Sequence, residues 1–233
     1  MDRPNPNGHY VDGPVLKEGY ESFIGMHEIP IVYGMTIGEY GKMVNGEKWL
    51  EDGIQCDYTV IELDNYDHNK YADIPISPSP NLPTMNSILY YPWLCLFEGT
   101  VVSVGRGTDK PFEQIGHPDY DNKDYSFIPK SGPGSRYPKL ENNQCFGHDF
   151  SIKNPKFTYS QAAFNIEYVV DMYNHLNMGS DFFLTNNFID KLYGSDQLRK
   201  DLQNGKTADE IRDSWADDLV EFKLMSAKYH LYE

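Results

Sequence analysis

Tyr91, Glu98, Arg106 and Glu113 fall within one short stretch of the chain, and their types could do chemistry together. A pair of carboxylates, one acting as acid and one as base or nucleophile, is the usual machinery of glycoside hydrolysis. Glu98 and Glu113 are fifteen positions apart, which says nothing of their distance in space, and an acidic chain holds many such pairs. Arg106 sits in Gly105-Arg106-Gly107-Thr108, straight after the β-branched run Thr100–Val104. Glycines let a backbone turn tightly. An arginine on such a turn can grip a carboxylate with two parallel hydrogen bonds. A glycine turn with a solvated arginine is the plainer alternative. Tyr91 precedes Pro92 in an apolar run, where a tyrosine ordinarily fills core.

Other chemistries fit less well. A phosphate-binding P-loop needs four residues between its glycines and then Gly-Lys-Ser/Thr, which Gly105-Arg106-Gly107-Thr108 does not supply. The dinucleotide fingerprint fails as well, because Lys110 occupies its third glycine position. No cofactor is therefore expected. Cys56, Cys95 and Cys145 form no C-x-x-C, so neither a structural zinc nor a thioredoxin-type site is indicated. His117 with Asp119 and Asp121 has the residue types of a ligand set, but a polar loop explains them, and no metal is assigned. The net charge of −15 repels phosphate backbones and argues against nucleic acid as a partner. The apolar run Ile88–Phe97 is far short of the about 20 residues a membrane helix needs. Eighteen tyrosines and twelve phenylalanines supply many rings. A tyrosine can stack on the apolar face of a sugar while its hydroxyl bonds to a polar edge, although most are expected in the core.

These residues need elements to hold them. Met1–Gly8 carries two prolines, two asparagines and a glycine, which reads as loop. Thr36 with Glu39 is a capping box that opens a helix ended near Asn45-Gly46. Asp57–Leu63 alternates like a strand, and the proline-rich stretch 64–83 reads as an ordered loop. Thr84 caps a helix through Tyr90. Thr100–Val104 reads as a buried strand, 117–144 as surface loop, and 146–157 as carrying another strand. Phe164, Tyr168, Met172 and Leu176 form a helical stripe, followed by short helices over 187–192 and 195–203. Thr207 and Glu210 make a second capping box. It opens one long helix with Ile211, Trp215, Leu219, Phe222 and Tyr229 on a face. The fold class is α/β, in the mixed α+β sense: strands and helices to about residue 158, and helices after it.

Seven motifs in order carry a resemblance: Asp2-Arg3-Pro4-Asn5-Pro6, Asp12-Gly13-Pro14, Gly34-Met35-Thr36-Ile37-Gly38-Glu39, Ser79-Pro80-Asn81-Leu82-Pro83-Thr84, Tyr91-Pro92, Cys95-Leu96-Phe97-Glu98-Gly99-Thr100, and Gly105-Arg106-Gly107-Thr108 with Pro111-Phe112-Glu113 and Ile115-Gly116. Together, and through the closing Lys228–Tyr232, they resemble the NamZ-type exo-β-N-acetylmuramidases. The resemblance implies an enzyme that releases N-acetylmuramic acid from non-reducing ends of peptidoglycan fragments. It implies a Rossmann-like domain and a smaller α/β auxiliary domain with the site between them. In that family the Asp-Arg-Pro-Asn-Pro loop follows a parallel strand, so this chain is expected to be the C-terminal part of a longer protein. On that expectation, 1–35 continues a Rossmann-like domain, 36–158 carries the cleft motifs, and 159–233 is a helical part packed on the same sheet. The resemblance further implies a periplasmic or secreted full-length protein, and an N-terminal partner domain or chain.

The resemblance also assigns roles. Tyr91 matches a tyrosine implicated in catalysis, and Glu98 joins it at the anomeric centre, while the family's best catalytic glutamate belongs to the part not present here. Asn5, Asn81, Thr100, Arg106, Thr108 and Glu113 become substrate-binding, with Arg106 on the lactyl carboxylate of muramic acid. The chain departs from the commoner motif at Val101 and Val104, where Asn and Glu are usual, and at Trp93, where Gly is usual. The two valines make that segment a more ordinary strand and remove two polar contacts. Two functions follow from different classes: one wall of a peptidoglycan glycosidase cleft, or a non-catalytic sugar-binding remnant of it.

Overall fold

The computed structural model describes residues 1–232, so only the last position of the 159–233 part lies outside it. Two small antiparallel sheets are embedded among eight helices. Strand β1 (Asp12–Val15) pairs with β2 (Pro30–Val32). The second sheet has the order β3 (Gln114–His117), β5 (Cys145–Asp149), β4 (Ser126–Phe127). Its central register sets Gly116 opposite Gly147, where a Cβ on Gly147 would meet the Ile115 carbonyl oxygen at 2.1 Å. Every ladder among the described residues is antiparallel. The fold is thus mixed α/β, as the sequence pattern implies.

The first helix, α1 (Ile37–Gly46), starts at the expected capping box: Thr36 accepts from the Glu39 amide, and Glu39 from the Thr36 amide. Helix α2 (Met85–Leu94) starts at Thr84 and runs past Tyr90, through Pro92. A proline inside a helix removes one N–H and leaves the carbonyl four residues back without its partner. That carbonyl belongs to Ile88, and the Asn7 side chain donates to it at 3.3 Å. The N-terminal loop thereby supplies the bond that Pro92 withholds. From Leu94 the chain tightens into a 3-10 turn, Cys95–Gly99.

The remaining helices are α3 (Pro155–Ser160), α4 (Glu167–Leu176), α5 (Phe188–Tyr193), α6 (Gln197–Gln203), α7 (Ala208–Asp213) and α8 (Ala216–Ser226). The main core runs from Trp93, Leu96 and Phe97 through Ile115 and Phe164 to Trp215. A smaller cluster of Met35, Met43 and Phe222 joins α1 to α8. Among the described residues no helix is long and apolar enough to cross a membrane.

Three expected elements differ. Asp57–Leu63 is not a strand: it lies mostly exposed with no ladder, and its bonds to distant segments are single ones, from the Asp2 amide to the Ile61 carbonyl and from the Leu63 amide to the Tyr232 hydroxyl. Thr100–Val104 is buried as expected, but it makes only single bridges, Thr100 to Phe183 and Ser103 to Gly116. Separate backbone bonds to Phe182, Gly116 and Phe112, not a continuous ladder, hold it. The single long helix after Thr207 is two, broken at Ser214–Trp215, where the Ser214 hydroxyl donates to the Ile211 carbonyl and Trp215 turns into the core. All three cysteines are free thiols, with Cys95 and Cys145 buried.

Candidate substrate cleft

Gly105 and Gly107 answer for the residue between them. Both have left-handed backbone, with φ of 74° and 82°. A Cβ on Gly105 would press Gln114 and the Lys110 carbonyl, and one on Gly107 would sit 2.4 Å from the Lys130 carbonyl. Only glycine serves at both positions. The turn between them throws Arg106 back over the 3-10 turn, where its guanidinium donates to Glu98 at 2.5 Å. The guanidinium also lies 6.0 Å from the centre of the Phe112 ring.

Phe112 is the surprise of the site. It is a buried aromatic with φ of 56°, a conformation that costs a bulky residue energy. Its amide donates to the Val104 carbonyl at 2.8 Å, which closes the glycine turn. Its ring meets that of Tyr91 at 5.1 Å. Phe112 therefore joins Tyr91 on α2 to Arg106 on the turn. Tyr91 is 40 % exposed, so it forms rim rather than core. Burial of its hydroxyl, with the nearby Cys95 and Glu98, pushes its pKa up to about 12, against a smaller opposing pull from Arg106.

A cavity of about 400 Å³ opens here, lined by Glu98, Ser103, Arg106, Arg136, Tyr137 and Lys139, among others. Its charged lining is three cations and one carboxylate, on a chain of net charge −15. Lys139 is built in. Its ammonium donates to the carbonyls of Phe97 at 2.9 Å, Val102 at 3.0 Å and Thr100. Burial strips its hydration and pushes its pKa down to about 8. Three backbone carbonyls satisfy all three of its donors. Lys139 thus fastens the wall that carries Glu98. Sequence reasoning missed Lys139 and Arg136 because both lie in a stretch read as surface loop, with no local pattern to mark them.

The other expected substrate-binding residues are placed elsewhere. Thr100 is fully buried; its hydroxyl donates to the Phe97 carbonyl and accepts from the Val102 amide. The Thr108 hydroxyl closes its own turn on the Gly105 carbonyl at 2.6 Å and accepts from Gln114. Glu113 is 4 % exposed and accepts from the Thr84 hydroxyl at 2.6 Å, under the start of α2. Burial, only partly offset by hydrogen bonds from Thr84 and Asn86, holds its carboxyl above the usual range. Asn5 braces the N-terminal loop on the Met35 carbonyl at 2.8 Å. Asn81 donates to the Gly134 carbonyl at 2.9 Å, and so holds the loop that forms the far lip of the cavity. The structure brings Tyr91, Glu98 and Arg106 together. It uses Thr100, Thr108, Glu113, Asn5 and Asn81 as supports. His117, buried at its ring, accepts from the Asp119 amide at 3.2 Å.

The comparisons with known proteins cover the whole chain. Residues 1–86 match the family model described as exo-beta-N-acetylmuramidase NamZ, N-terminal, and residues 89–232 match its C-terminal counterpart. The two matches meet at the first turn of α2. The peptidoglycan beta-N-acetylmuramidase NamZ of Bacillus subtilis (strain 168) is 33 % identical over 251 residues, covering 100 % of this chain and 58 % of that protein. A DUF1343 family protein of Bacteroides fragilis NCTC 9343 superposes with a TM-score of 0.94 at 47 % identity, over 100 % of this chain and 65 % of its own. A second from the same organism has a TM-score of 0.82 at 24 % identity, with the same coverage, and speaks for the fold alone. The chain thus spans 58 % of the curated relative and 65 % of each solved structure. With residues 1–86 and 89–232 matched by the two family models, this chain belongs to the NamZ family.

Proposed function

We propose that this chain supplies one wall of the saccharide cleft of a peptidoglycan glycosidase, and that its cationic cavity receives the carboxylate of N-acetylmuramic acid. One observation carries the reading: a cavity with three cations and one carboxylate on a strongly anionic chain. Such a cavity selects for an anion, and an uncharged sugar would gain nothing from it. Arg106 holds Glu98 through one nitrogen, which leaves other donors of its fork for a ligand carboxylate. The lactyl ether carboxylate is the anionic group that separates muramic acid from glucosamine.

Tyr91 and Glu98 then face the sugar ring from the same rim. A tyrosine nucleophile beside a carboxylate has a precedent in sialidases, whose substrate also carries a carboxylate next to its reacting carbon. Tyr91 is fully protonated at neutral pH, so a base must take its proton as it attacks. Glu98 is the cleft's own candidate for that base once Arg106 turns to the ligand. Asn81 acts on the site indirectly, by holding the lip at Gly134.

A second reading is favoured by a separate observation. Of the two carboxylates that could form a hydrolytic pair, Glu113 is buried under Thr84, and Glu98 alone lines the cavity. The 233-residue chain by itself is therefore expected to bind muramic acid without turning it over. Hydrolysis would need an acid from outside these residues. The test uses N-acetylmuramic acid and N-acetylglucosamine as ligands in titration calorimetry, with a chromogenic muramic acid glycoside for turnover. Arg106→Ala should weaken muramic acid binding about 10-fold or more, in line with loss of a charge-assisted bond, and leave glucosamine unaffected. Equal loss on both sugars would overturn the lactyl assignment. Turnover by the chain alone would overturn the non-hydrolytic reading.

A further inference from the structure

Helix α2 has a second cleft on its other side. Tyr91 packs its ring against Phe112, whereas Tyr90 and Trp93 form the floor of a cavity of about 420 Å³, within the size range of small-molecule sites (about 300–1,000 Å³). Its walls are aromatic: Tyr10, Phe157, Tyr159 and Tyr168 stand around that floor. The rings are braced against each other. Tyr168 stacks on Trp93 at 5.2 Å and 17°, and Tyr159 on His9 at 3.6 Å and 26°. Phe157, on the cavity lining, is 52 % exposed and stacks on no other ring among the described residues. A large ring left half in water at the mouth of a cleft is a platform with one face free.

The polar lining differs in kind from that of the cationic cavity. Lys153 and Glu167 cancel, and the rest are neutral amides and hydroxyls, chiefly Gln161, Asn165 and Thr158. The Asn165 amide is already set by two neighbours: turned with its oxygen to the Trp93 indole at 3.3 Å, its nitrogen donates to Glu167 at 3.1 Å. The His9 Nε2 lies 2.9 Å from the Tyr159 carbonyl and so carries the proton, which leaves Nδ1 as a buried acceptor with no partner.

We infer that this aromatic cleft is a binding subsite for an uncharged pyranose unit, whose apolar face rests on Phe157 and whose hydroxyls reach Gln161 and the His9 side of the wall. Aromatic faces take the C–H side of a sugar ring, and amides take its rim. The zero net charge of the lining excludes the anionic selectivity that the cationic cavity has. The inference rests on this lining alone and does not depend on the glycosidase reading.

Titration of the intact chain with tri-N-acetylchitotriose, an uncharged oligosaccharide, tests it by calorimetry and by Trp fluorescence. Saturable binding is expected. Phe157→Ala and Gln161→Ala should each weaken it about 2- to 10-fold. Arg106→Ala should leave it unchanged. Phe157 is half exposed, so its removal leaves the fold intact, which circular dichroism verifies. Absence of saturable binding, indifference to Phe157→Ala, or loss in Arg106→Ala would each overturn the inference; the last would put the sugar in the cationic cavity. If chitotriose behaves as expected while muramic acid ignores Arg106→Ala, the inference stands and the proposed function falls.

Discussion

Glu113 shows how a residue of the right type can serve the site without facing it. Its carboxyl is buried beneath the start of α2, accepts from Thr84, and is held above its usual range by burial. A raised carboxylate pKa means that the fold prefers the protonated form, so the charge costs stability at neutral pH. Glu113→Gln keeps the acceptor and removes the charge. It should match or exceed the wild type in urea unfolding at pH 7. Glu113→Ala strands the Thr84 hydroxyl and should cost about 1–3 kcal/mol. A drop with Gln as large as with Ala would mean that the charge itself is used. The family motifs singled out Tyr91, Glu98 and Arg106, since the residue types alone left Tyr91 as core and Arg106 as a solvated turn residue. Lys139 and Arg136 were not legible in the sequence, because they reach the cavity from a loop some thirty residues on, Lys139 through carbonyls that no sequence pattern reveals. Phe112 was quoted within a motif, yet its strained backbone is a property of the folded turn alone.

At the scale of elements, helix starts held because their bonds are local, whereas the length of the helix after Thr207 did not. The capping boxes at Thr36, Thr84 and Thr207 are all formed, because each needs only residues three apart. Strands failed where pairing depended on distant partners: Thr100–Val104 has the burial of a strand without its ladder. The 3-10 turn that carries Glu98 is set by a close contact of this non-local kind. A Cβ on Gly99 would sit 2.5 Å from the Ile189 amide nitrogen and 2.6 Å from its Cα. These are backbone atoms, so α5 itself would have to move. Gly99→Ala should destabilise by about 1–3 kcal/mol in urea unfolding, and should weaken ligand binding at Arg106 in step with the displaced Glu98. A neutral effect would show that α5 yields freely.

At the scale of the whole molecule, the two ends of the described chain are clasped. Asp2 accepts from the Thr36 hydroxyl at 2.6 Å and the Tyr232 hydroxyl at 2.8 Å, while Glu39 accepts from the Leu231 amide at 2.7 Å and from His68 at 3.0 Å. The bond to Glu39 raises the His68 pKa above its ordinary 6.5. Burial works against ionised Glu39, but the hydrogen bonds from His68, Leu231 and Thr36 prevail and hold it below 4.5. For His68 the stabilisation is complete below pH about 6.5 and fades as pH rises through its raised value; for Glu39 it is complete above pH about 4.5 and fades as pH falls through its lowered value. The stability difference between the wild type and His68→Gln should therefore be largest between pH about 4.5 and 6.5, and shrink on either side. His230, its ring 5.4 Å from that of His68, has its pKa lowered first by burial and also by the His68 charge, so part of its titration enters that difference. A difference flat from pH 4 to 8 would show that the pair contributes nothing.

The clasp has a consequence for the order of events as the chain is made. Asp2 and Tyr232 are 230 positions apart, and the buried Gly38 at the start of α1 donates its amide to the same Asp2 carboxylate. A ribosome releases Asp2, Thr36 and Glu39 long before it reaches Leu231 and Tyr232. Until then two acids meant for burial lack part of their bonding, and α1 has nothing to close over it. The bonds around the start of α1 are thus completed only after residues 231 and 232 have emerged, and the Met35 and Met43 side chains likewise wait for Phe222 of α8.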